Sequence, residues 1–248
     1  MDAGVTFANV SYTLPDGRVL LRDISLELEA GTTTALLGRS GSGKTTLLRT
    51  VNELVAPSSG EVRVAGRAAR DYDVVALRRG IGYVIQETGL FPHMTVERNA
   101  GMALELAGRS KAEIAARVRE VLALAGLEYE EFRERYPWQL SGGQRQRVGL
   151  ARALATDPMV LLMDEPFGAL DPLTRGEMQT MLRGLLERVG KTVLLVTHDL
   201  DEALYLAKRV VFLAEGRVVA DLLAGEVLSS ENPHVKDYVH AVHRAVSA

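Results

Sequence analysis

A glycine-rich octet near the N-terminus has the residue types that bind phosphate. The run Gly38-Arg39-Ser40-Gly41-Ser42-Gly43-Lys44-Thr45 matches the pattern G-x-x-x-x-G-K-[ST] in full. Glycines allow the backbone to curl so that successive N–H groups face one anion, and a following helix adds its positive end. We expect Lys44 to reach the β- and γ-phosphates of a nucleotide and Thr45 to ligate Mg²⁺, with Thr46 beside it. The alternative, a glycine-rich turn that meets the pattern by accident, is disfavoured by the strand-like run before it and the helix-permissive run after it.

A pair of carboxylates follows an apolar run later in the chain. Val160-Leu161-Leu162-Met163 leads directly into Asp164 and Glu165. An apolar strand that ends in a carboxylate places that group where a nucleotide's Mg²⁺ is bound, so we expect Asp164 to be a metal ligand. Glu165 is then the candidate general base for the attacking water. A buried strand followed by an ordinary acidic loop is the alternative, and the glycine-rich octet upstream argues against it.

A second pair of glycines opens a predicted helix. Leu140-Ser141-Gly142-Gly143-Gln144 runs straight into the helical sequence Arg145-Gln146-Arg147-Val148, which disfavours a flexible linker. Two glycines beside a serine hydroxyl at a helix N-terminus form a second site suited to phosphate. A simple monomeric ATPase needs one such loop per nucleotide, so the second site requires another explanation.

Together these motifs resemble those of ABC ATPases, and the resemblance covers about residues 4–220. It implies an α/β fold, in which a P-loop NTPase core carries an antiparallel β-subdomain and an inserted helical subdomain. It also implies ATP and Mg²⁺ as cofactors and a head-to-tail dimer of two copies. In that dimer the signature residues of one copy, Ser141, Gly142, Gly143 and Gln144, close over the γ-phosphate held by the P-loop of the second copy.

Four further residues match positions of the same family. Tyr12 matches the aromatic that stacks on adenine, although a strand aromatic packed in the core is the alternative. Gln86 matches the Q-loop glutamine, which contacts Mg²⁺ and the attacking water. Asp171 matches the D-loop at the dimer seam, and His198 matches the switch histidine that contacts the γ-phosphate. The family's ATP-site positions are all present, so the resemblance implies an active hydrolase.

The elements that position these residues alternate between strands and helices. Strands are predicted at 5–10, 24–28, 33–37, 61–64, 81–85, 159–163, 192–196, 210–213 and 217–220, and helices at 44–53, within 95–126 and at 143–155. Apolar Ile114, Val118, Val121, Leu122 and Ala125 recur at helical spacing. We therefore expect a core of residues 1–87 and 158–228, a helical insert of 88–157 that carries the signature motif, and a short helical tail of 229–248.

Composition narrows the class of protein. The 29 basic and 32 acidic residues give a net charge of −3, which supplies no reason to expect a nucleic-acid partner. The chain has no cysteine, so disulfides and thiolate metal sites are excluded. No apolar run approaches the ~18 residues that span a bilayer, and the first residues do not read as a secretory signal. Composition alone leads us to expect a soluble, cytoplasmic protein. The resemblance to ABC ATPases implies that it is bound peripherally at the cytoplasmic face of the cell membrane.

The remaining histidines and the single tryptophan are interpreted as structural residues and not as part of a site. His240 and His243 are spaced to share one helix face, but no carboxylate cluster accompanies them, so we expect a solvated terminal helix and not a metal site. Trp138 precedes the signature motif, and we expect it to anchor the helical insert by packing. A contact with a permease is the alternative.

A narrower resemblance concerns the transported solute. Residues 82–96, the run DEPFGALDPLTR at 164–175 and residues 197–204 resemble the ATPases of importers for glycine betaine, choline and carnitine. Glu87 stands where relatives vary, and the about 28 residues after 220 are too few for a pair of regulatory CBS domains. The resemblance implies separate permease subunits as partners and, indirectly, a solute-binding protein. Import of polar amino acids or other small solutes is the alternative. A soluble ABC protein of repair or translation, or an exporter half, fits a short single cassette less well.

Overall fold

The computed structural model describes residues 4–86 and 88–243. Glu87, residues 244–248 of the predicted tail and the side chain of His243 lie outside that description. The strands are β1 Val5–Thr13, β2 Val19–Leu28, β3 Thr33–Leu37, β4 Ser59–Val64, β5 Arg67–Ala68, β6 Ile81–Val84, β7 Val160–Asp164, β8 Thr192–Thr197, β9 Arg209–Ala214 and β10 Arg217–Leu223. The helices are α1 Lys44–Val51, α2 Val74–Arg79, α3 Val96–Leu106, α4 Lys111–Leu124, α5 Tyr129–Phe132, α6 Gly142–Leu154, α7 Pro172–Val189, α8 Leu200–Leu206 and α9 Pro233–His243.

The chain forms two compact units. The first comprises the residues up to Leu77 together with those from Thr192 onward, and the second is Arg78–Lys191. The sequence predicted a different division, into a core, a helical insert and a tail, and that division stays a prediction.

The first unit contains an antiparallel sheet in the order β2-β1-β4-β5. Val5 of β1 pairs with Leu28 of β2 on one side and with Val64 of β4 on the other. Apolar residues of β2 are buried in alternation, with Ile24, Leu26 and Leu28 facing inward. This period of two is expected of a sheet that packs on one face only. The antiparallel part of the expected fold is confirmed.

The first unit also contains strands in the order β10-β9-β3-β8. β3 pairs in parallel with both β8 and β9, while β10 is antiparallel to β9. Every residue of β8 is buried, as in other parallel strands covered on both faces. β3 has the predicted bounds, and the ends of β8, β9 and β10 lie within three residues of the predicted ones. The mixed α/β class is confirmed.

The second unit combines two parallel strands, β6 and β7, with helices α3 to α7. The predicted apolar stripe of α4 is confirmed, because Val118, Val121 and Leu122 are fully buried. Gly101 of α3 lies so close to α4 that an added Cβ would come within 2.6 Å of Ile114 Cγ2. Glycine at this position therefore allows the two helices to approach each other.

One prediction from the sequence is wrong. Trp138 does not anchor the helical insert, because 72% of its surface is exposed and its ring stacks on that of Tyr136. The expected terminal helix is present as α9 and exposes His240, but Val235 of the same helix is fully buried and packs in a core cluster with Phe212. Sequence neighbours alone do not reveal what a distant segment covers.

No helix in the described residues is long and apolar enough to cross a membrane.

Candidate functional site

The glycine-rich octet forms a tight turn between β3 and α1. Gly43 has a φ of 103°, and a Cβ there would lie 2.8 Å from the carbonyl oxygen of Leu20. At Gly38 a Cβ would come within 2.3 Å of the carbonyl oxygen of Leu213. Side chains are excluded at both positions, because the neighbouring backbone occupies the space. Glycine at these positions therefore lets backbone N–H groups lie close together, as phosphate binding requires.

The Lys44 side chain is buried inside this turn. Its ammonium donates hydrogen bonds to the carbonyl oxygens of Gly38, at 2.8 Å, and Arg39, at 3.0 Å. The Ser42 hydroxyl is also buried and has no hydrogen-bond partner among the described residues. A buried cation and a buried hydroxyl at the start of a helix fit a polyphosphate ligand. The predicted P-loop residues are thus brought together as expected.

A cavity of about 790 Å³ lies beside the P-loop in the same unit. Residues 38–42 form one part of its lining, and residues of α9, including Tyr238, form another. The sequence offered no signal for this neighbour, since α9 follows the last recognised motif by about 35 residues.

Tyr12 and His198 belong to the same unit as the P-loop. Tyr12 lies on β1 opposite Leu21 and is half-buried, whereas Phe7 and Val10 of that strand are fully buried. This exposure argues against a core aromatic and leaves the ring accessible for stacking. His198 is exposed immediately after β8. Its main-chain carbonyl accepts a hydrogen bond from the Tyr238 hydroxyl of α9 at 2.5 Å.

In the second unit, Asp164 is the last residue of β7 and is nearly buried. The Tyr83 hydroxyl of β6 donates to Asp164 Oδ2 at 3.3 Å, a contact that no sequence motif indicated. Glu165 follows with a φ of 47°, an uncommon conformation for a residue that carries a Cβ. Such a conformation is strained, and strain of this kind concentrates at functional sites. The turn thus separates two consecutive carboxylates that were predicted to have different roles.

The signature motif begins α6 with a capping box. The Ser141 hydroxyl accepts from the Gln144 N–H at 3.2 Å, and the Gln144 side chain accepts from the Ser141 N–H at 2.9 Å. Both hydrogen bonds stabilise the helix start. A Cβ on Gly143 would lie 2.7 Å from Thr174 Cγ2 of α7, so this glycine also has a packing role that the sequence did not predict.

Asp171 of the predicted D-loop begins α7. Its carboxylate accepts from the N–H groups of Leu173 and Thr174. A hydrogen bond from the Thr174 side chain above all, followed by those from the N–H groups of Thr174 and Leu173, holds the pKa of Asp171 below its usual value. The signature helix and the D-loop are neighbours in the structure, because Gly143 approaches Thr174 and Gly142 approaches Leu170.

The Q-loop is tied to the signature helix by an arginine. Gln86 is exposed, and its side-chain amide lies beside Gly168, which follows the carboxylate pair. Arg152 of α6 donates to the carbonyl oxygens of Thr88 at 2.6 Å and Gly89 at 2.7 Å. Burial lowers the pKa of this guanidinium. Sequence reasoning missed Arg152, because a basic residue late in a helix is ordinary.

The strands, the P-loop turn and the capped signature helix define a P-loop nucleotide-binding protein. A family model described as "ABC transporter" matches residues 21–168. The chain therefore belongs to the ABC transporter family, and its domain is an ABC ATPase.

Several curated ATP-binding proteins are similar in sequence to most of this chain. The glycine betaine uptake system ATP-binding protein YehX of Escherichia coli is 50% identical over 215 residues, which are 87% of this chain and 69% of the relative. The osmoprotectant import ATP-binding protein OsmV of Salmonella typhimurium is 46% identical over 84% of this chain and 54% of its own. The sulfate/thiosulfate import ATP-binding protein CysA of Nocardia farcinica is 50% identical over 80% of this chain and 59% of its own. The chain thus spans between about half and two thirds of the length of these relatives.

Solved structures share the fold. CbiO1 of Clostridium perfringens, part of the cbiONQ transporter complex, superposes with a TM-score of 0.85 at 28% identity, covering 99% of this chain and 96% of that one. The ATP-binding cassette MJ0796, solved as a dimer in a post-hydrolysis state with ADP and phosphate, has a TM-score of 0.78 at 35% identity, over 89% of this chain and 98% of that one. The ABC ATPase fold expected from the motifs is confirmed.

Proposed function

We propose that this chain is the ATP-hydrolysing subunit of an ABC importer that takes up a small solute, a quaternary-amine osmoprotectant, through separate permease subunits. The observation that carries the ATPase assignment is the P-loop, whose turn closes around the buried ammonium of Lys44. A turn of this shape presents backbone N–H groups and one cation to a triphosphate, which is the arrangement phosphoryl transfer needs.

The catalytic roles follow from the residue types. Lys44 binds the β- and γ-phosphates, and the P-loop residues 39–43 and Thr46 complete the phosphate site. Thr45, Asp164 and Gln86 are the proposed ligands of Mg²⁺, which when bound neutralises charge on the phosphates. Glu165 accepts a proton from the attacking water, and His198 orients that water. Tyr12, half-buried on β1, stacks on adenine.

Hydrolysis in this proposal requires a second copy of the chain. Ser141, Gly142, Gly143, Gln144 and Asp171 act on the nucleotide held by the P-loop of the partner. Two features support this. The signature helix presents a capped N-terminus next to the D-loop, and the related cassette MJ0796 was solved as a dimer. ATP then holds the two copies together, and loss of the γ-phosphate releases them.

The proposed substrate class rests on relatives named for glycine betaine and osmoprotectant import. An ATPase subunit of this kind does not contact the transported solute. Its sequence similarity to other ATPase subunits therefore indicates the class of permease that it binds. The sulfate/thiosulfate relative, equally identical over a slightly shorter range, favours a second candidate function, the import of another small solute such as an oxyanion. Import of a polar amino acid stays the alternative that the sequence left open. Either way the chain would lie at the cytoplasmic face of the membrane, against permease subunits served by a solute-binding protein.

The test is uptake by the reconstituted transporter. The chain is assembled in vesicles with the permease and binding protein encoded beside it, and uptake of labelled glycine betaine, choline, sulfate and an amino acid is compared. A matched assembly with Lys44→Ala measures ATP-independent background. We expect import of a quaternary amine only with the wild-type chain. Import of sulfate or an amino acid alone would refute the substrate class and leave the ATPase assignment standing, whereas equal uptake with Lys44→Ala would refute the ATPase assignment.

A further inference from the structure

The hydroxyl of Tyr238 joins the terminal helix to the loop that carries His198. It donates to the main-chain carbonyl of His198 at 2.5 Å, across 40 residues of sequence. The recognised motifs end before α9, and none of them gives this helix a role. Its contact with a residue of the proposed site is therefore unexplained by the motifs alone.

Packing holds the Tyr238 side chain in a fixed position. Its ring lies edge-on to Phe212 of β9, with 5.8 Å between ring centroids and an interplanar angle of 77°. Phe212 in turn pairs with Leu37, the last residue of β3 before the P-loop. One turn earlier in α9, Val235 is fully buried in the same cluster. The phenol is thus fixed by packing on β9, the strand paired with the one that leads into the phosphate-binding turn.

The beginning of α9 is fixed as well. The Asn232 side chain donates to the carbonyl oxygen of Val219 in β10 at 2.9 Å, and its own oxygen accepts from the His234 N–H. The terminal helix is therefore held to β10 at its start and to β9 at its middle. A fixed helix can hold a loop residue in place, whereas a loose one could not.

The loop around His198 is restrained from its other side by its own residues. Thr197 Oγ1 accepts from the Asp199 N–H at 3.0 Å, and the Asp199 carboxylate accepts from the Glu202 N–H at the start of α8. These contacts leave the carbonyl of His198 facing α9, where Tyr238 binds it. The exposed imidazole thus projects from a peptide restrained by its neighbours in sequence and by the terminal helix.

We infer that Tyr238 is a positioning residue for His198, so that the terminal helix takes part in setting the geometry of ATP hydrolysis. This inference rests on the proposed role of His198. Its physical basis is that small displacements of a group that orients the attacking water slow the chemical step more than they weaken binding. Removal of the hydroxyl alone keeps the ring on Phe212 and exposes the carbonyl to water.

The test is Tyr238→Phe, with Tyr72→Phe as the matched control. The Tyr72 hydroxyl also donates to a main-chain carbonyl, that of Val64, at 2.9 Å, but this contact joins the segment before α2 to β4 of the antiparallel sheet. Both variants lose one phenolic hydrogen bond, so a general effect of that loss appears equally in each. We expect Tyr238→Phe to lower kcat for Mg-ATP about 3- to 10-fold, the range that one lost hydrogen bond allows, with KM changed less than two-fold. Tyr72→Phe should retain the wild-type kcat.

A double variant shows whether the effect passes through His198. In a His198→Ala background the Tyr238→Phe change should cost no further activity, since the group it positions is gone. A kcat for Tyr238→Phe equal to that of Tyr72→Phe would overturn the inference. A full additional loss in the His198→Ala background would overturn it too.

A structural measurement separates this inference from the proposed function. Amide hydrogen exchange of a peptide containing residues 197–200 should speed up in Tyr238→Phe and not in Tyr72→Phe. Unchanged exchange refutes the positioning role even if the wild-type chain is an efficient ATPase. An inactive wild-type chain refutes the ATPase assignment, whatever the exchange data show.

Discussion

Loss of the Arg152 guanidinium should measurably destabilise the second unit. The change Arg152→Met keeps the length and apolar stem of the side chain and removes two charge-assisted hydrogen bonds, at 2.6 and 2.7 Å, to Thr88 and Gly89. Hydrogen bonds to a charged group contribute about 1.5–3 kcal/mol each. Two effects reduce that sum. Water can replace the donor at the carbonyl of exposed Gly89, and the variant avoids the free-energy cost of burying a charge, the same cost that lowers the pKa of Arg152. We therefore expect a net loss of about 2 kcal/mol.

The assay is thermal unfolding of the purified chain. About 2 kcal/mol corresponds to a fall in Tm of roughly 4–8 °C for a domain of this size. Arg147→Met is the control, because Arg147 lies on the same helix and also donates to two carbonyls, Ala125 and Gly126, but at 3.2 and 3.4 Å. Those longer contacts are worth less, so a fall of no more than about 3 °C is expected there. If Arg152→Met costs no more than Arg147→Met, the guanidinium does not hold the Q-loop as argued.

Three further substitutions test the proposed site. Glu165→Gln should bind ATP yet lose turnover, measured by phosphate release, by about 10²- to 10⁴-fold, and wild-type turnover would refute its role as general base. The same variant should sediment as a dimer with ATP. A monomer under saturating Mg-ATP would count against the ATP-sandwich dimer. Ser141→Arg should leave nucleotide binding to each protomer intact while hydrolysis and dimerisation fail together, and loss of ATP binding with intact turnover in the bound fraction would contradict the action in trans. Asp171→Ala should lower the urea midpoint at pH 7, because the lowered pKa of Asp171 means that its carboxylate stabilises the folded state above the unfolded value of about 3.9. That difference should shrink as the pH falls through the folded pKa, and a difference that grows on acidification would contradict the cap.

Local features of the site could be predicted because they depend on short stretches of chain. The glycines of the P-loop, Gly38 and Gly43, are visible in the octet itself, although the carbonyl oxygens of Leu213 and Leu20 that exclude a Cβ there are not. The start of α6 was predictable for the same reason, since Ser141 and Gln144 form a capping box within four residues. The strand before Asp164 was evident from its unbroken apolar run.

Other parts of the fold were missed or misread because partners lie far apart in sequence. Trp138 looked like a packing anchor, and only the absence of covering residues in the described structure makes it exposed. Helix α7, Pro172–Val189, was not predicted, although Met178, Leu182, Leu185 and Leu186 are buried at helical spacing. The burial of Val235 depends on strands more than 20 residues away, which periodicity within α9 does not reveal.

The sequence by itself determined the local structure of the P-loop, of the strand before the carboxylate pair and of the signature helix start, since each is a backbone conformation or helix end encoded within about eight residues. Tertiary structure alone decided which side chains support them. The Tyr83 hydroxyl on Asp164, the Arg152 guanidinium on the Q-loop carbonyls and the Tyr238 hydroxyl on His198 join residues 40 to 81 positions apart. Such contacts depend on how strands and helices stack after the chain has folded, and burial of apolar surface, which drives that stacking, is not directional.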